Sequence, residues 1–219
     1  VEDPIENVDP QLNQMQVQHG IDLGFADGLR ALMRQDPDVI MVGEIRDKET
    51  ADMAVQAALT GHLVFSTLHT NDACASIARL IELGVPHYLL NATLVGVLAQ
   101  RLVRTLCPHC KQEAGPPDEA VWNELVSPWR APAPPRVWRP VGCLECRRTG
   151  YLGRVGLVEL LTMSDPLRKL VAETVELPAL RRQAAREGMR SLRVSGAEKI
   201  AAGLTTFEEV FKAAPPFES

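Results

Sequence analysis

A single acidic residue at the end of an apolar run is the feature of this sequence best suited to chemistry. The run Val39–Val42 is followed by Gly43 and Glu44, and Arg46 lies two residues further on. Such a run predicts a buried strand of a parallel sheet, and α/β proteins bind ligands at the carboxyl ends of these strands. A carboxylate there can hold Mg²⁺ or orient an attacking water. The pattern therefore points to nucleotide hydrolysis.

Polar side chains crowd the end of a second apolar run. This run, residues 62–67, begins at His62 and is soon followed by His69. If its strand neighbours the first, His69 lies beside Glu44, where an imidazole can contact a γ-phosphate and sense its loss. A polar loop with one histidine is also common on protein surfaces, and His62 is equally consistent with a half-buried structural residue.

An acidic turn opens the chain. Glu2, Asp3 and Glu6 surround Pro4, which keeps the backbone extended or turned. A solvated turn has the same composition. Its position at the start of a sheet-based domain favours a functional role.

Four of the five cysteines form two C-x-x-C pairs, Cys107 with Cys110 and Cys143 with Cys146. Paired knuckles of this kind predict a zinc site, and four thiolates leave no open coordination position, so the metal is structural. Disulfides or a redox pair are the alternatives. Cys74 stands alone on a predicted helix and is read as a small buried residue.

Strands and helices must alternate to position these residues. Predicted helices begin after Asp22, Asp47, Asp72 and Pro86, and the last of them carries apolar residues as far as Leu98. Strand, helix, strand and helix in this order predict an α/β fold with a parallel sheet and right-handed crossovers.

The rest of the chain changes character. Residues 111–142 are rich in proline and tryptophan, with a short helix predicted over 118–126. A strand-like run over 155–161 precedes helical stretches, the last of them capped by Thr206. We predict three parts, namely 1–106 with the α/β core, 107–150 with the metal module, and 151–219 as a small, mostly helical domain.

Bulk composition sets further limits. The 219 residues are 46% apolar and carry a formal charge of −5, and no apolar run approaches membrane-spanning length. The chain opens in what reads as a strand end, so we expect a fragment lacking an N-terminal part. The sequence contains no G-x-x-x-x-G-K-[S/T] loop. Without such a cradle for phosphates, we expect the fragment alone to bind ATP poorly and not to hydrolyse it.

Together these motifs resemble the secretion ATPase superfamily, the hexameric motors of type II secretion and type IV pilus systems. The resemblance covers essentially the whole chain, and the tetracysteine module is similar to the secretion and pilus-assembly branch. The matching segments are Glu2–Glu6, Leu29–Arg30, Arg34–Asp38, Val42–Asp47, Thr60–His62, Ser66–Asn71, Ala99–Leu102, the cysteine pairs, Thr149–Tyr151 and Gly153–Arg154.

The resemblance implies a RecA-like parallel sheet and a set of roles. Glu2 would be the catalytic or water-positioning carboxylate, Glu44 would act on Mg²⁺ or water at the end of the Walker B strand, and His69 would contact the γ-phosphate. It also assigns Asp3, Arg46 and His62 to cofactor binding. The implied cofactors are ATP and Mg²⁺ in the parent protein, with Zn²⁺ held by the cysteines.

The resemblance also implies partners and a location. The parent would be a homo-hexamer, cytoplasmic and peripheral at the bacterial inner membrane, working with platform or cytoplasmic-domain proteins of the machine. We expect the parent to power type II protein secretion, and type IV pilus assembly is the alternative. Two further alternatives stay open. Arginines around the cysteines would suit a zinc-ribbon nucleic-acid binder, although the acidic chain argues against specific nucleic-acid binding, and a non-catalytic assembly subunit would keep the same fold.

Overall fold

The computed structural model describes residues 1–217. Helices and strands alternate along the first part of the chain, and an antiparallel pair of long strands follows. The strands are β1 Val39–Val42, β2 Leu63–Ser66, β3 Gly96–Leu106, β4 Gln112–Glu113, β5 Trp138–Arg139 and β6 Tyr151–Thr162. The helices are α1 Phe25–Leu32, α2 Lys48–Leu59, α3 Ala73–Glu82, α4 His87–Thr93, α5 Glu119–Val126, α6 Asp165–Leu170, α7 Leu177–Arg186, α8 Leu192–Ala201 and α9 Phe207–Ala213.

The two predicted strands of the α/β part are confirmed as a parallel pair. Val39 lies opposite Leu63, and Val42 lies opposite Ser66. Ile40 and Val42 point into a core formed with α1 and α2, because successive side chains of a strand face opposite sides. The other face of the pair is apolar and exposed, and it consists of Val39, Met41, Leu63 and Phe65.

The largest strand pairing was not foreseen from the sequence. β3 and β6 are antiparallel, with Gly96 opposite Thr162 and Leu106 opposite Tyr151. The prediction that the helix after Pro86 continues to Leu98 is wrong, since α4 ends at Thr93 and the following residues enter β3.

Helix starts were predicted with mixed success. Asp47 caps α2 by accepting a hydrogen bond from Thr50 N at 2.8 Å, and Thr206 caps α9 by accepting from Glu209 N, both as predicted. Asp22 does not cap α1. It lies in a left-handed turn with φ of 56°, and α1 begins after Gly24.

The chain divides into two compact units. One contains Val1–Thr70, Ala75–Val95 and Arg168–Val175, with the parallel strands and α1, α2 and α4. The other contains Asn71–Cys74, Gly96–Leu167 and the chain from Glu176, and its core joins β3, β6, α5, α8 and α9. The cysteine module shares this unit with the β3–β6 ribbon. The three-part division made from the sequence stays a prediction.

Candidate functional site

Three chain segments end side by side at one edge of the parallel sheet. The Val1 nitrogen donates to Met41 O at 2.7 Å, and Gly43 N donates to Val1 O at 2.8 Å. This is the bonding pattern of a parallel ladder, so Val1 pairs with β1 on the side away from β2. A Cβ on Gly43 would lie 3.2 Å from Val1 O, and only glycine allows so close an approach without a shift. Glu2 and Glu44 therefore follow the ends of two neighbouring strands.

Glu44 is a largely buried carboxylate, and one of its oxygens lacks a hydrogen-bond partner within residues 1–217. Its side chain is 14% exposed, and Oε1 lies 2.5 Å from Arg46 Nη2. Oε2 is buried, lies 3.4 Å from His69 Nε2, and has no hydrogen-bond partner within residues 1–217. Buried carboxylate oxygens are normally satisfied, so an unpartnered one in this position can accept a water or bind a cation.

The backbone around Glu44 is held on both sides. Thr67 Oγ1 donates to Gly43 O at 2.6 Å, and Ile45 N donates to Thr67 O at 3.0 Å. These bonds extend the β1–β2 pairing beyond the strands and set the direction in which Glu44 leaves the sheet. The His69 side chain is 90% exposed and extends from this loop toward the Glu44 carboxylate.

The acidic turn lies next to this site. Glu2 Oε1 accepts a hydrogen bond from Gln14 Nε2 at 2.9 Å, and Asp3 Oδ2 lies 3.2 Å from His19 Nε2. The pKa of Arg46 is raised chiefly by its hydrogen bond to Glu44 and, to a smaller extent, by the charge of Asp3. Sequence reasoning missed Gln14 and His19, which stand in a polar loop without a recognisable pattern.

His62 is not brought to this edge. It precedes β2, at the opposite end of the strand from His69, and its Nδ1 lies 2.9 Å from Ala57 O and 3.1 Å from Thr60 Oγ1. These contacts close the C-terminal turn of α2.

The four paired cysteines come together. Their sulfurs lie within 4.8 Å of one another, and none is in a disulfide. Sγ separations are 3.9 Å for Cys107 and Cys143, 3.8 Å for Cys110 and Cys146, and 3.7 Å for Cys143 and Cys146. Tetrahedral zinc with bonds of about 2.3 Å requires sulfurs about 3.8 Å apart. The donor set and its spacing therefore fit a zinc ion.

Backbone N–H groups donate hydrogen bonds to two of the sulfurs. Gly142 N donates to Cys110 Sγ at 3.3 Å, and Gly150 N donates to Cys146 Sγ at 3.2 Å. Burial disfavours the Cys146 thiolate, but donation from the Cys143 and Gly150 amides outweighs it and lowers the Cys146 pKa to about 6. Burial outweighs the Gly142 amide at Cys110 and raises the pKa of that thiol to about 11. Because metals bind thiolates rather than thiols, the lowered pKa of Cys146 is the one that favours metal binding.

The cysteine module also holds the end of α8. Lys111 Nζ donates to Gly203 O at 2.7 Å and lies 4.8 Å from the centre of the Trp138 ring. A Cβ on Gly203, whose φ is 68°, would lie 2.6 Å from that ring. Trp138 thus packs directly on the backbone of the turn that follows α8.

None of the helices in residues 1–217 combines the length and apolar character needed to span a bilayer.

Comparison with known proteins assigns the family. The model of the family described as "Type II/IV secretion system protein" matches residues 1–212. The chain is 54% identical over 215 residues to the type IV pilus assembly ATPase TfpB of Acinetobacter baylyi, covering 98% of this chain and 37% of that protein. It is 50% identical over 213 residues to type II secretion system protein E of Pseudomonas aeruginosa, covering 97% and 41%. The chain belongs to the type II/IV secretion system protein family, which confirms the resemblance, and it spans about two fifths of the length of these relatives.

Solved structures agree. The pilus retraction motor PilT with bound ADP matches with a TM-score of 0.67 and 31% identity, over 98% of this chain and 51% of that chain. The ATPase DotB of Legionella pneumophila matches in fold, with a TM-score of 0.63 at 24% identity over 94% and 48%. The α/β fold class is thereby confirmed.

Proposed function

We propose that this chain is the carboxylate-bearing part of an ATP-hydrolysing motor subunit that powers type II protein secretion. The unpartnered Glu44 Oε2, buried beside His69 at the sheet edge, is the observation that carries the proposal. A type IV pilus assembly motor is the second candidate, favoured by the 54% identity to TfpB. In either machine, the work would come from hydrolysis at this edge.

Each side chain at this edge of the sheet has a proposed role that follows from its position. Glu44 would act on Mg²⁺ or on the attacking water, and Glu2, on the neighbouring strand end, would position that water. His69 would contact the γ-phosphate, and Arg46 would brace Glu44. Carboxylate oxygens are the ligands Mg²⁺ prefers, so Glu44 with Asp3 and Glu2 suits this ion, which would neutralise phosphate charge when bound. The contacts of His62 give no support to a nucleotide-binding role.

The catalytic site needs parts that these residues do not supply. No G-x-x-x-x-G-K-[S/T] loop occurs in the sequence, so we propose that a phosphate-binding loop outside it completes the site. The exposed apolar face of β1 and β2 supports a larger domain, because parallel sheets are normally covered on both faces. By family analogy, we propose a hexamer at the cytoplasmic face of the inner membrane, working with platform proteins, and a structural zinc ion in the cysteine cluster.

The test is Glu44→Gln in the full-length motor. It preserves size and hydrogen bonding but removes the charge, so we expect ATP hydrolysis to fall by at least about 100-fold while thermal stability is unchanged. Glu49→Gln, at an acid on α2 whose side chain is 70% exposed, is the matched control and should hydrolyse ATP normally. The isolated 219-residue chain should release no phosphate. Near-normal turnover by Glu44→Gln would refute the assignment.

A further inference from the structure

The carboxylate of Glu2 is held by one side chain of the loop that follows the acidic turn. Gln14 Nε2 donates a hydrogen bond to Glu2 Oε1 at 2.9 Å. The same nitrogen donates to Asn7 O at 2.9 Å, and Gln14 Oε1 accepts from Asp9 N at 2.8 Å. Since a side-chain amide has two N–H donors and one carbonyl acceptor, these contacts engage both N–H groups and the oxygen of Gln14.

The three bonds fix which way the Gln14 amide points. Asp9 N is a donor and can meet only the amide oxygen, whereas the Glu2 carboxylate and Asn7 O are acceptors and can meet only the nitrogen. Turning the amide over would place like groups against each other at all three contacts. Gln14 therefore presents an N–H group, and not an oxygen, to the carboxylate.

The backbone that carries this carboxylate is bonded on both sides. Val1 is bonded to β1, and on the other side Glu2 N donates to Met15 O at 3.0 Å while Val17 N donates to Glu2 O at 2.9 Å. These bonds form a parallel bridge between Glu2 and Gln16, and Val1 and Val17 are buried. The backbone of Glu2 is thus fixed, and the remaining freedom of this residue lies in its side-chain torsions.

Gln14 restricts those torsions through one oxygen of the carboxylate. Within residues 1–217, the other oxygen of Glu2, Oε2, accepts no hydrogen bond. An unrestrained glutamate side chain samples several rotamers, and only those that direct an oxygen at an attacking water are productive. The bond from Gln14 selects one rotamer and leaves Oε2 available to a water.

We propose that Gln14 is a positioning residue for ATP hydrolysis, which holds the Glu2 carboxylate so that Oε2 meets the attacking water and which does not touch the nucleotide. This inference rests on the proposed function, in which Glu2 positions that water. It predicts that loss of the Gln14 amide lowers the rate of the chemical step and leaves nucleotide affinity nearly unchanged, because Gln14 acts only through Glu2.

The first experiment measures ATP hydrolysis by Gln14→Met in the full-length motor. Methionine has a similar length but no N–H to donate, so kcat should fall about tenfold with KM for ATP within about twofold. Gln14→Asn, which withdraws the amide by one methylene group, replaces this variant if it does not fold.

Gln16→Met is the matched control. Gln16 belongs to the same loop, and its Oε1 accepts from Ile5 N of the acidic turn at 3.2 Å, but its side chain does not contact the Glu2 carboxylate. Gln16→Met should therefore keep kcat within about twofold of the wild type. An unchanged kcat in Gln14→Met, or equal losses in the two variants, would overturn the inference.

A double-mutant cycle separates positioning of the carboxylate from general support of the loop. In a Glu2→Gln background no carboxylate remains to be directed, so adding Gln14→Met should change the residual rate by less than about twofold. If Gln14→Met costs as much in this background as in the wild type, Gln14 acts by another route and the inference is wrong.

Glu44→Gln distinguishes failure of this inference from failure of the proposed function. If Glu44→Gln still hydrolyses ATP at a near-normal rate, the proposed function fails. If Glu44→Gln is inactive and Gln14→Met behaves like Gln16→Met, only the positioning role of Gln14 fails.

Discussion

Three carboxylates of low exposure differ in whether their oxygens are used. Glu159 accepts a hydrogen bond on each oxygen, and so does Glu209, whose oxygens receive Arg104 N and Nη2. Glu44 uses one oxygen for Arg46, whereas the other has no hydrogen-bond partner within residues 1–217 and lies 3.4 Å from His69 Nε2. Fully paired carboxylates stabilise a fold, whereas a buried unpaired oxygen costs free energy unless something else binds it. This contrast separates Glu44 from the structural acids.

The paired acid Glu209 gives a pH-dependent prediction. Its hydrogen bond from Arg104 holds its pKa below the usual 4.5, so the stabilisation is present above pH 4.5 and is lost as pH falls through the lower, folded-state value. Glu209→Gln should therefore lower the free energy of unfolding by about 1 kcal/mol at pH 7. The difference should shrink on acidification, as followed by urea unfolding at several pH values.

A matched control lies one residue away. Glu208 shares the first turn of α9 and pairs with Lys212, but both side chains are about two-thirds exposed. Exposed pairs contribute little, so Glu208→Gln should be nearly neutral at every pH. A loss of stability in Glu209→Gln that did not depend on pH would contradict the assignment to this ion pair.

Single residues were predictable where their signal is local. Glu44 follows an apolar strand, and the cysteines carry their own spacing, so sequence alone made both of them candidates. The contacts of Glu159 with Ala73 and of Glu209 with Arg104 were not predicted, because these partners lie 86 and 105 positions away in the chain. His62 and His69 both flank the apolar run of β2, so the sequence did not distinguish their surroundings. In the structure they lie at opposite ends of the strand.

Helices and strands were likewise predicted correctly where their sequence signal is local, and wrongly where they depend on partners distant in the chain. Helices α2 and α9 have local caps and were foreseen. β3 was not, because Leu94, Val97 and Leu98 repeat at helical spacing. Its pairing with β6 starts at Gly96 opposite Thr162, a contact that no local pattern reveals. The pairing with β6 therefore determined the structure of this segment, against the helical periodicity of its sequence.

Close packing of α8 on α9 gives the element-scale prediction. A Cβ on Gly196 of α8 would lie 2.4 Å from Val210 Cγ1, and Val210 is fully buried on α9. Alanine in a helix usually stabilises by about 1 kcal/mol relative to glycine, but overpacking here should reverse the sign and cost about 1–3 kcal/mol. Urea unfolding of Gly196→Ala measures the loss. In a Val210→Ala background the same substitution should cost less, and an equal cost would show that Val210 is not the obstacle.

At the scale of the whole molecule, the cysteines close the open end of the β3–β6 ribbon. Cys107 follows β3 directly, and its N–H donates to Gly150 O at 2.9 Å, just before β6 begins. The second pair, Cys143 and Cys146, approaches β6 from the proline-rich segment. A metal bound by all four sulfurs would therefore join that segment to both strands.

Metal removal should consequently loosen one part of the molecule and spare another. We expect about one zinc per chain by metal analysis. A chelator should release it and accelerate amide exchange in β4, β5 and the turn after α8, because Lys111 and Trp138 hold that turn at Gly203. Exchange in β1 and α2, whose core is formed by other residues, should stay as it was. Cys143→Ser should reproduce the chelated state, whereas Cys74→Ser, at the cysteine outside the cluster, should retain the metal. Protein purified without metal and with disulfides between the paired cysteines would refute the zinc assignment.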